Sequence, residues 1–283
     1  MPSLRTWLVL GRISNLPTVW SNCLAGWWLG GGHHLHNLPL LLTGATLLYV
    51  GGMFLNDAFD AGFDAQYRRE RPIPSGAISR ALVWQAGFGL LAFGIFCLFL
   101  LNHTCGFLAI ALTICILAYD AVHKMITLSP LLMASCRFFL YPLAASTGWD
   151  GITGWSVWGG LALAAYIVGL SYIARKESTG AALRYWPCLF LAAPITWAMI
   201  LNAPPFLKDA LLLSAVLALW IVRCLRYTFG PAERNIGRTV SGLLAGIIWV
   251  DLLAVADVRK PFALCFVALF LLSLLFQRSI PAT

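Results

Sequence analysis

Three aspartates, Asp57, Asp60 and Asp64, stand at i, i+3 and i+7 in the stretch Asn56-Asp57-Ala58-Phe59-Asp60-Ala61-Gly62-Phe63-Asp64. On a helix this spacing puts them on one face. Carboxylates held that close repel one another unless a cation joins them. Hard oxygen ligands favour Mg²⁺, which is usually held by one or two carboxylates and completed by substrate phosphates. A solvated helix end carrying a few acids is the plainer alternative. Directly downstream runs Tyr67-Arg68-Arg69-Glu70-Arg71-Pro72-Ile73-Pro74. An arginine fork binds phosphate oxygens in pairs, and Arg71, ahead of a stiff Pro-x-Pro, is the arginine to separate from its neighbours. Acids for a metal followed by a base for phosphate suggest phosphate chemistry.

The elements that position these residues are apolar. Of 283 residues, 60% are hydrophobic and 11% charged, with a mean hydropathy of +0.82. A water-soluble domain carries about a quarter charged residues, so this chain belongs in lipid. A span needs about 20 apolar residues. Such runs are expected over 16–31, 38–56, 82–101, 105–121, 128–147, 156–174, 186–203, 208–225, 240–256 and 261–277. The fold class is therefore an all-α integral membrane protein, a bundle of nine or ten transmembrane helices with a cytoplasmic cap. The uncertainty in the count lies in whether the last two runs are separate spans. The first apolar run reads as a membrane segment, because no small-residue cleavage site precedes Asn22.

Sidedness follows from Lys and Arg. With the N-terminus inside, fifteen of the nineteen fall in cytoplasmic segments, and only Lys208, Arg259 and Lys260 fall outside. Arg137, the nineteenth, lies within a span. The chemistry is expected to face the cytoplasm of a multi-pass protein, as in a bacterial inner membrane. The net charge of +8 is spread over short loops, which argues for membrane lipid and an anionic substrate and against nucleic acid. The eight cysteines sit mostly in apolar stretches without a Cys-x-x-Cys pair and read as packing residues. His33, His34 and His36 read as a solvated loop.

The motif of Asn56, Asp57, Asp60 and Asp64 followed by Arg71-Pro72-Ile73-Pro74-Ser75-Gly76 resembles the first aspartate-rich motif of the UbiA superfamily of intramembrane prenyltransferases. Arg12-Ile13-Ser14-Asn15-Leu16-Pro17 is similar to that family's opening segment. Tyr119-Asp120-Ala121-Val122-His123-Lys124 resembles its Tyr-x-x-x-x-Lys element. The resemblance covers most of the chain and implies one domain over 1–283. It implies transfer of an isoprenoid chain from a prenyl diphosphate to an aromatic or other lipophilic acceptor. Carried over, Asn56, Asp57, Asp60 and Asp64 hold Mg²⁺ and the diphosphate, and Arg71 and Lys124 contact phosphate oxygens. Arg12, Asn15, Tyr119, Arg137, Tyr172, Arg175 and Lys176 complete the expected substrate contacts.

One departure matters. Where the family carries a second Asp-x-x-Asp-x-x-x-Asp motif, this chain has Tyr172, Arg175 and Thr179, with only Glu177 acidic nearby. This variant resembles an EboC-like subgroup. Either Arg175 and Lys176 replace a second metal's charge, or the chain keeps the fold and binds or moves an isoprenoid or lipid-like ligand without the transfer. An intramembrane Arg137 must face a cavity or a partner, with Asp120 and Asp251 as candidate partners. Transport would need ionisable groups at midplane on several helices, and only Arg137 and Asp251 qualify. Trp20, Trp27, Trp28, Trp155, Trp158 and Trp249 are placed for an aromatic belt. Phe54, Phe59, Phe138, Tyr141 and Tyr172 are expected in packing, with cavity lining as the alternative.

Overall fold

The computed structural model describes residues 2–33, 35–179, 185–201, 207–230, 234–257 and 260–281, with 176–179 and 201 described by backbone alone. Among them all regular structure is helical. A short α1 (Leu4–Leu10) and a 3₁₀ turn (Ile13–Asn15) lead into α2 (Leu16–Leu29). There follow α3 (Leu38–Tyr67), α4 (Arg80–Phe99), α5 (His103–Val122), α6 (Ser129–Ala145) and α7 (Gly154–Thr179). The chain continues through α8 (Pro187–Leu191), α9 (Ala193–Leu201), α10 (Leu207–Phe229), α11 (Ile236–Ala254) and α12 (Lys260–Gln277). Among the described residues seven helices are long and apolar enough to cross a membrane: α3, α4, α5, α7, α10, α11 and α12. The two C-terminal runs are separate helices. The run expected as one span over 186–203 is instead broken at Ala192 into α8 and α9. Pro194, in the first turn of α9, has no N–H to continue the α8 ladder.

The length of α3 sets up the site. Its 30 residues rise about 45 Å, against a hydrocarbon core of about 30 Å. Several turns therefore project past the apolar slab, and the helix runs eleven residues beyond the expected end at 56. Those turns carry the aspartates. Pro72 and Pro74 then bar further helix.

The bundle is ordered largely by sequence neighbours, α3 on α4, α4 on α5, α5 on α6 and α6 on α7. It closes through α11, which packs on α7, α10, α12 and α2. The 14-residue α2 is the inner helix, in contact with α3, α6, α7, α11 and α12. Small residues allow the close packing that membrane helices depend on in place of a hydrophobic drive. A Cβ on Gly26 would stand 2.6 Å from the Tyr141 carbonyl oxygen and 3.0 Å from the Ala144 Cβ. Gly26→Leu is accordingly expected to wedge α2 from α6 and destabilise the protein by about 1–3 kcal/mol, read as a lowered unfolding temperature in detergent.

One expectation about aromatic residues needs correction. Trp27 is fully buried with its ring 6.0 Å from that of Phe262, so it belongs to the core rather than to an interfacial belt. Trp155 and Trp158 are exposed, as a belt requires. All eight cysteines are free thiols, and His33 and His36 are exposed while His34 lies outside the described residues.

Candidate active site

The projecting turns of α3 carry acids that are met by bases from other segments. The Asp57 carboxylate accepts from Arg12 Nη2 at 3.1 Å and from Arg71 Nη1 at 3.0 Å, on the same oxygen. Asp60 pairs with Lys124 Nζ at 2.7 Å and with His123 Nε2 at 3.4 Å. Asp64 is buried one turn further on. Shared cations thus offset the repulsion that the acid spacing creates. Arg12 also donates to Asn56 Oδ1 at 3.2 Å, and its carbonyl accepts from the Tyr49 hydroxyl at 3.2 Å. Its backbone is left-handed, with φ of +43°, a conformation that costs a non-glycine residue about 1–3 kcal/mol and persists where surroundings enforce it. Burial, then the adjacent Arg12 guanidinium, draws the Arg71 pKa below its usual value. Two guanidiniums crowded onto one carboxylate oxygen are set to share their charge with an incoming anion.

Asn56 joins this group to α5 by donating Nδ2 to Asp120 Oδ1 at 2.9 Å. Asp120 Oδ2 is buried with no hydrogen-bond partner. The orphaned oxygen tests the expected metal. Buried acceptors need partners, and Asp120 lines one cavity with Asn56 and Asp60, an oxygen-rich wall that suits a hard cation. No three His, Cys, Asp or Glu side chains converge to hold a metal ion among the described residues. The fit is therefore to an ion completed by ligand phosphates, not to a closed protein cage.

The cavity has a volume of about 700 Å³ and lies between α2, α3, α5, α6, α7 and α11. Arg12, Arg68, Arg71, Lys124 and Arg175 ring its polar end. Leu48, Leu112, Ile116, Leu140, Ile167 and Leu244 line the apolar remainder. Such a chamber suits an amphipathic molecule with an anionic head and a hydrocarbon body.

Of the residues expected to form a site, Asn56, Asp60, Arg71, Lys124, Arg12, Asn15, Tyr119, Arg137 and Arg175 line this cavity. Asp57 and Asp64 do not. Asp57 instead anchors Arg12 and Arg71 from behind. Tyr172 also stands apart, its hydroxyl donating to the Thr127 carbonyl at 3.4 Å and its ring 4.7 Å from that of Trp186. Arg175 donates to the Ile126 carbonyl at 2.9 Å. The Lys176 side chain lies outside the described residues. Tyr49, Phe63 and Tyr119 put aromatic rings in the cavity wall, and Phe54, Phe59, Phe138, Tyr141 and Tyr172 are not among its lining residues. Neither expected partner bonds Arg137 directly. Its Nη1 donates to Asn22 Oδ1 at 2.9 Å.

Sequence reasoning did not single out Tyr49 and His123, and it took Arg68 only as a topology signal. His123 had a readable cue, since it lies one turn beyond Tyr119 and Asp120 on the same helix face. Tyr49, inside an apolar run, had none.

A mouth lined by basic side chains over an apolar chamber, inside a bundle of apolar helices, defines an integral multi-pass membrane protein. The chain belongs to the UbiA prenyltransferase family, which it matches over residues 14–227. It is similar to digeranylgeranylglyceryl phosphate synthase of Methanothrix thermoacetophila, 33% identical over 120 residues, or 41% of this chain and 44% of that protein. It is likewise similar to the mitochondrial 4-hydroxybenzoate polyprenyltransferase of Bos taurus, 31% identical over 162 residues, or 53% of this chain and 37% of that one. The chain thus aligns with less than half the length of each of these curated relatives. A solved UbiA homologue from Archaeoglobus fulgidus, bound to GPP and Mg²⁺, shares the fold with a TM-score of 0.66 at 12% identity, over 96% of this chain and 99% of its own.

Proposed function

We propose that the protein transfers an isoprenoid chain from a prenyl diphosphate to a lipophilic acceptor within the membrane, with Mg²⁺. One observation carries this reading: a single cavity unites a cation-ringed mouth with an apolar chamber. The names of the relatives, and the GPP and Mg²⁺ bound to the archaeal homologue, support the same chemistry. The diphosphate head lies at Arg12, Arg71, Lys124 and Arg175, and the hydrocarbon tail lies along Leu112, Ile116 and Ile167. Asn56, Asp60 and Asp120 would hold Mg²⁺ together with phosphate oxygens, and Asp57 and Asp64 add negative charge behind them. Bound there, the ion would supply Lewis-acid stabilisation to the leaving diphosphate.

The allylic carbon–oxygen bond breaks with its electron pair leaving on the diphosphate. The acceptor's nucleophilic atom then bonds the allylic carbon and gives up a proton. The four basic side chains stabilise the charge that grows on the leaving group. Arg175, at the position of the absent second acid motif, supplies this charge without a second ion. The apolar walls keep water from the allylic cation. The excess of Lys and Arg on one side supports a mouth that faces the cytoplasm.

Purified protein in lipid nanodiscs, given Mg²⁺ and prenyl diphosphates of increasing length with candidate acceptors, is expected to release inorganic diphosphate. Chelation with EDTA is expected to abolish that release. Tight binding of every donor with no release at any length would instead favour a lipid-binding protein of this fold.

A further inference from the structure

A second polar group lies deep in the same cavity, where hydrocarbon would be expected. Arg137 on α6 is 8% exposed and lines the chamber. Its one hydrogen bond among the described residues goes to Asn22 Oδ1 on α2, at 2.9 Å. Asn22 is held in turn, its Nδ2 donating to both oxygens of Asp251 on α11 at 2.9 and 2.8 Å. Asp251 is fully buried and also accepts from the Tyr141 hydroxyl at 2.7 Å and from the Ser21 hydroxyl. These bonds fix the Asn22 amide with its oxygen toward Arg137 and its nitrogen toward Asp251. The guanidinium is steadied on its other side by the Tyr49 ring, 5.8 Å away.

Three helices agree on the depth of this layer. Arg137 lies eight residues beyond Ser129, Asn22 seven beyond Asn15, and Tyr49 eight before Asp57. Each step is about 10–12 Å of helix rise below the ionic mouth. A guanidinium has five donors, and one kept in an apolar wall is costly unless it meets charge or a cavity. The donor's diphosphate is already served at the mouth, and its tail needs no donors. What remains for Arg137 is the second substrate.

We propose that Arg137, positioned by Asn22 and Asp251, selects the acceptor by binding an anionic oxygen group, a carboxylate or a phosphate, about two helical turns below the diphosphate. The acceptor lies with that group inward and its nucleophilic atom toward the mouth. The proposal rests on the transferase reading for the identity of the ligand as acceptor, and equilibrium binding tests the two separately. The probes are 4-hydroxybenzoate against its neutral amide, glycerol 1-phosphate against glycerol, and geranyl diphosphate with Mg²⁺, each titrated into protein in nanodiscs.

At least one acid is expected to bind better than its neutral partner. Arg137→Met is expected to weaken that acid by about tenfold or more, the scale of a charge-assisted bond, and to leave geranyl diphosphate within about twofold. Arg137→Lys should recover part of the loss, as a merely structural arginine would not. Should Arg137→Met fail to fold beside the buried Asp251, the double variant Arg137→Met with Asp251→Asn keeps the charge balanced and is titrated in its place. Acids that bind no better than their neutral partners overturn the proposal, as does an equal loss of geranyl diphosphate binding in Arg137→Met. Failure of the wild type to bind geranyl diphosphate, with Arg137-dependent acid binding intact, would count against the transferase reading and leave the anion site standing.

Discussion

Asp60→Ala is expected to lower diphosphate release by about a hundredfold or more, the scale on which removal of one preorganised electrostatic group slows catalysis. Asp60 is the α3 aspartate that lines the cavity, and it pairs with Lys124 and His123 of the neighbouring segment. Without it Lys124 and His123 lose their carboxylate partner on α3, and the wall keeps Asn56 and Asp120 for a divalent ion. Stability should change little, because Asp60 is half-buried and its replacement opens no core void. Binding of the prenyl diphosphate without Mg²⁺ should persist, since the guanidiniums and Lys124 remain. The expected pattern is retained folding, retained metal-free binding and lost turnover. Release within a few-fold of the wild type would contradict the placement of Asp60.

Asp251→Ala should act on folding instead. The side chain has no exposure, and donors from Ser21, Asn22 and Tyr141 converge on it from α2 and α6. Its removal orphans those donors and leaves Arg137 without an opposing charge in the middle of the bundle. Breaking a buried ionic network by deleting one partner costs about 3–5 kcal/mol. Unfolding in detergent should therefore begin at a clearly lower temperature, and Asp251→Asn, which removes the charge and keeps the shape, should lose less. An unfolding temperature equal to the wild type would show that Asp251 is not needed for packing.

The two variants separate features that differ in how they could be read from letters. The acid ladder of α3 is local. A period of three and four residues fixes one helix face, and the Pro-x-Pro that follows fixes where the helix must stop. The ten apolar runs are local for the same reason: eight appear as helices near the expected limits, and a ninth, 38–56, runs on to Tyr67. The tenth, 186–203, broke because its prolines interrupt the ladder while its hydropathy does not. The Arg137 partnership was only half legible. A buried arginine demands a partner, and Asp251 was one of two candidates, but the intervening Asn22 carried no signal of its own.

Composition and periodicity by themselves determine that this is a helical membrane protein with an acid face at one helix end and bases close behind it. They determine this because lipid tolerates few charges, and each surviving charge marks a place where burial is compensated. Only the tertiary structure decides that Asp57 anchors Arg12 and Arg71 while Asp60 and Asp120 face the cavity, and that Asn22 turns Arg137 inward. Those facts join residues 14 to 115 positions apart. The spacing within a helix sets which residues share a face, but which faces meet depends on how the helices pack, and short-range pattern does not encode that.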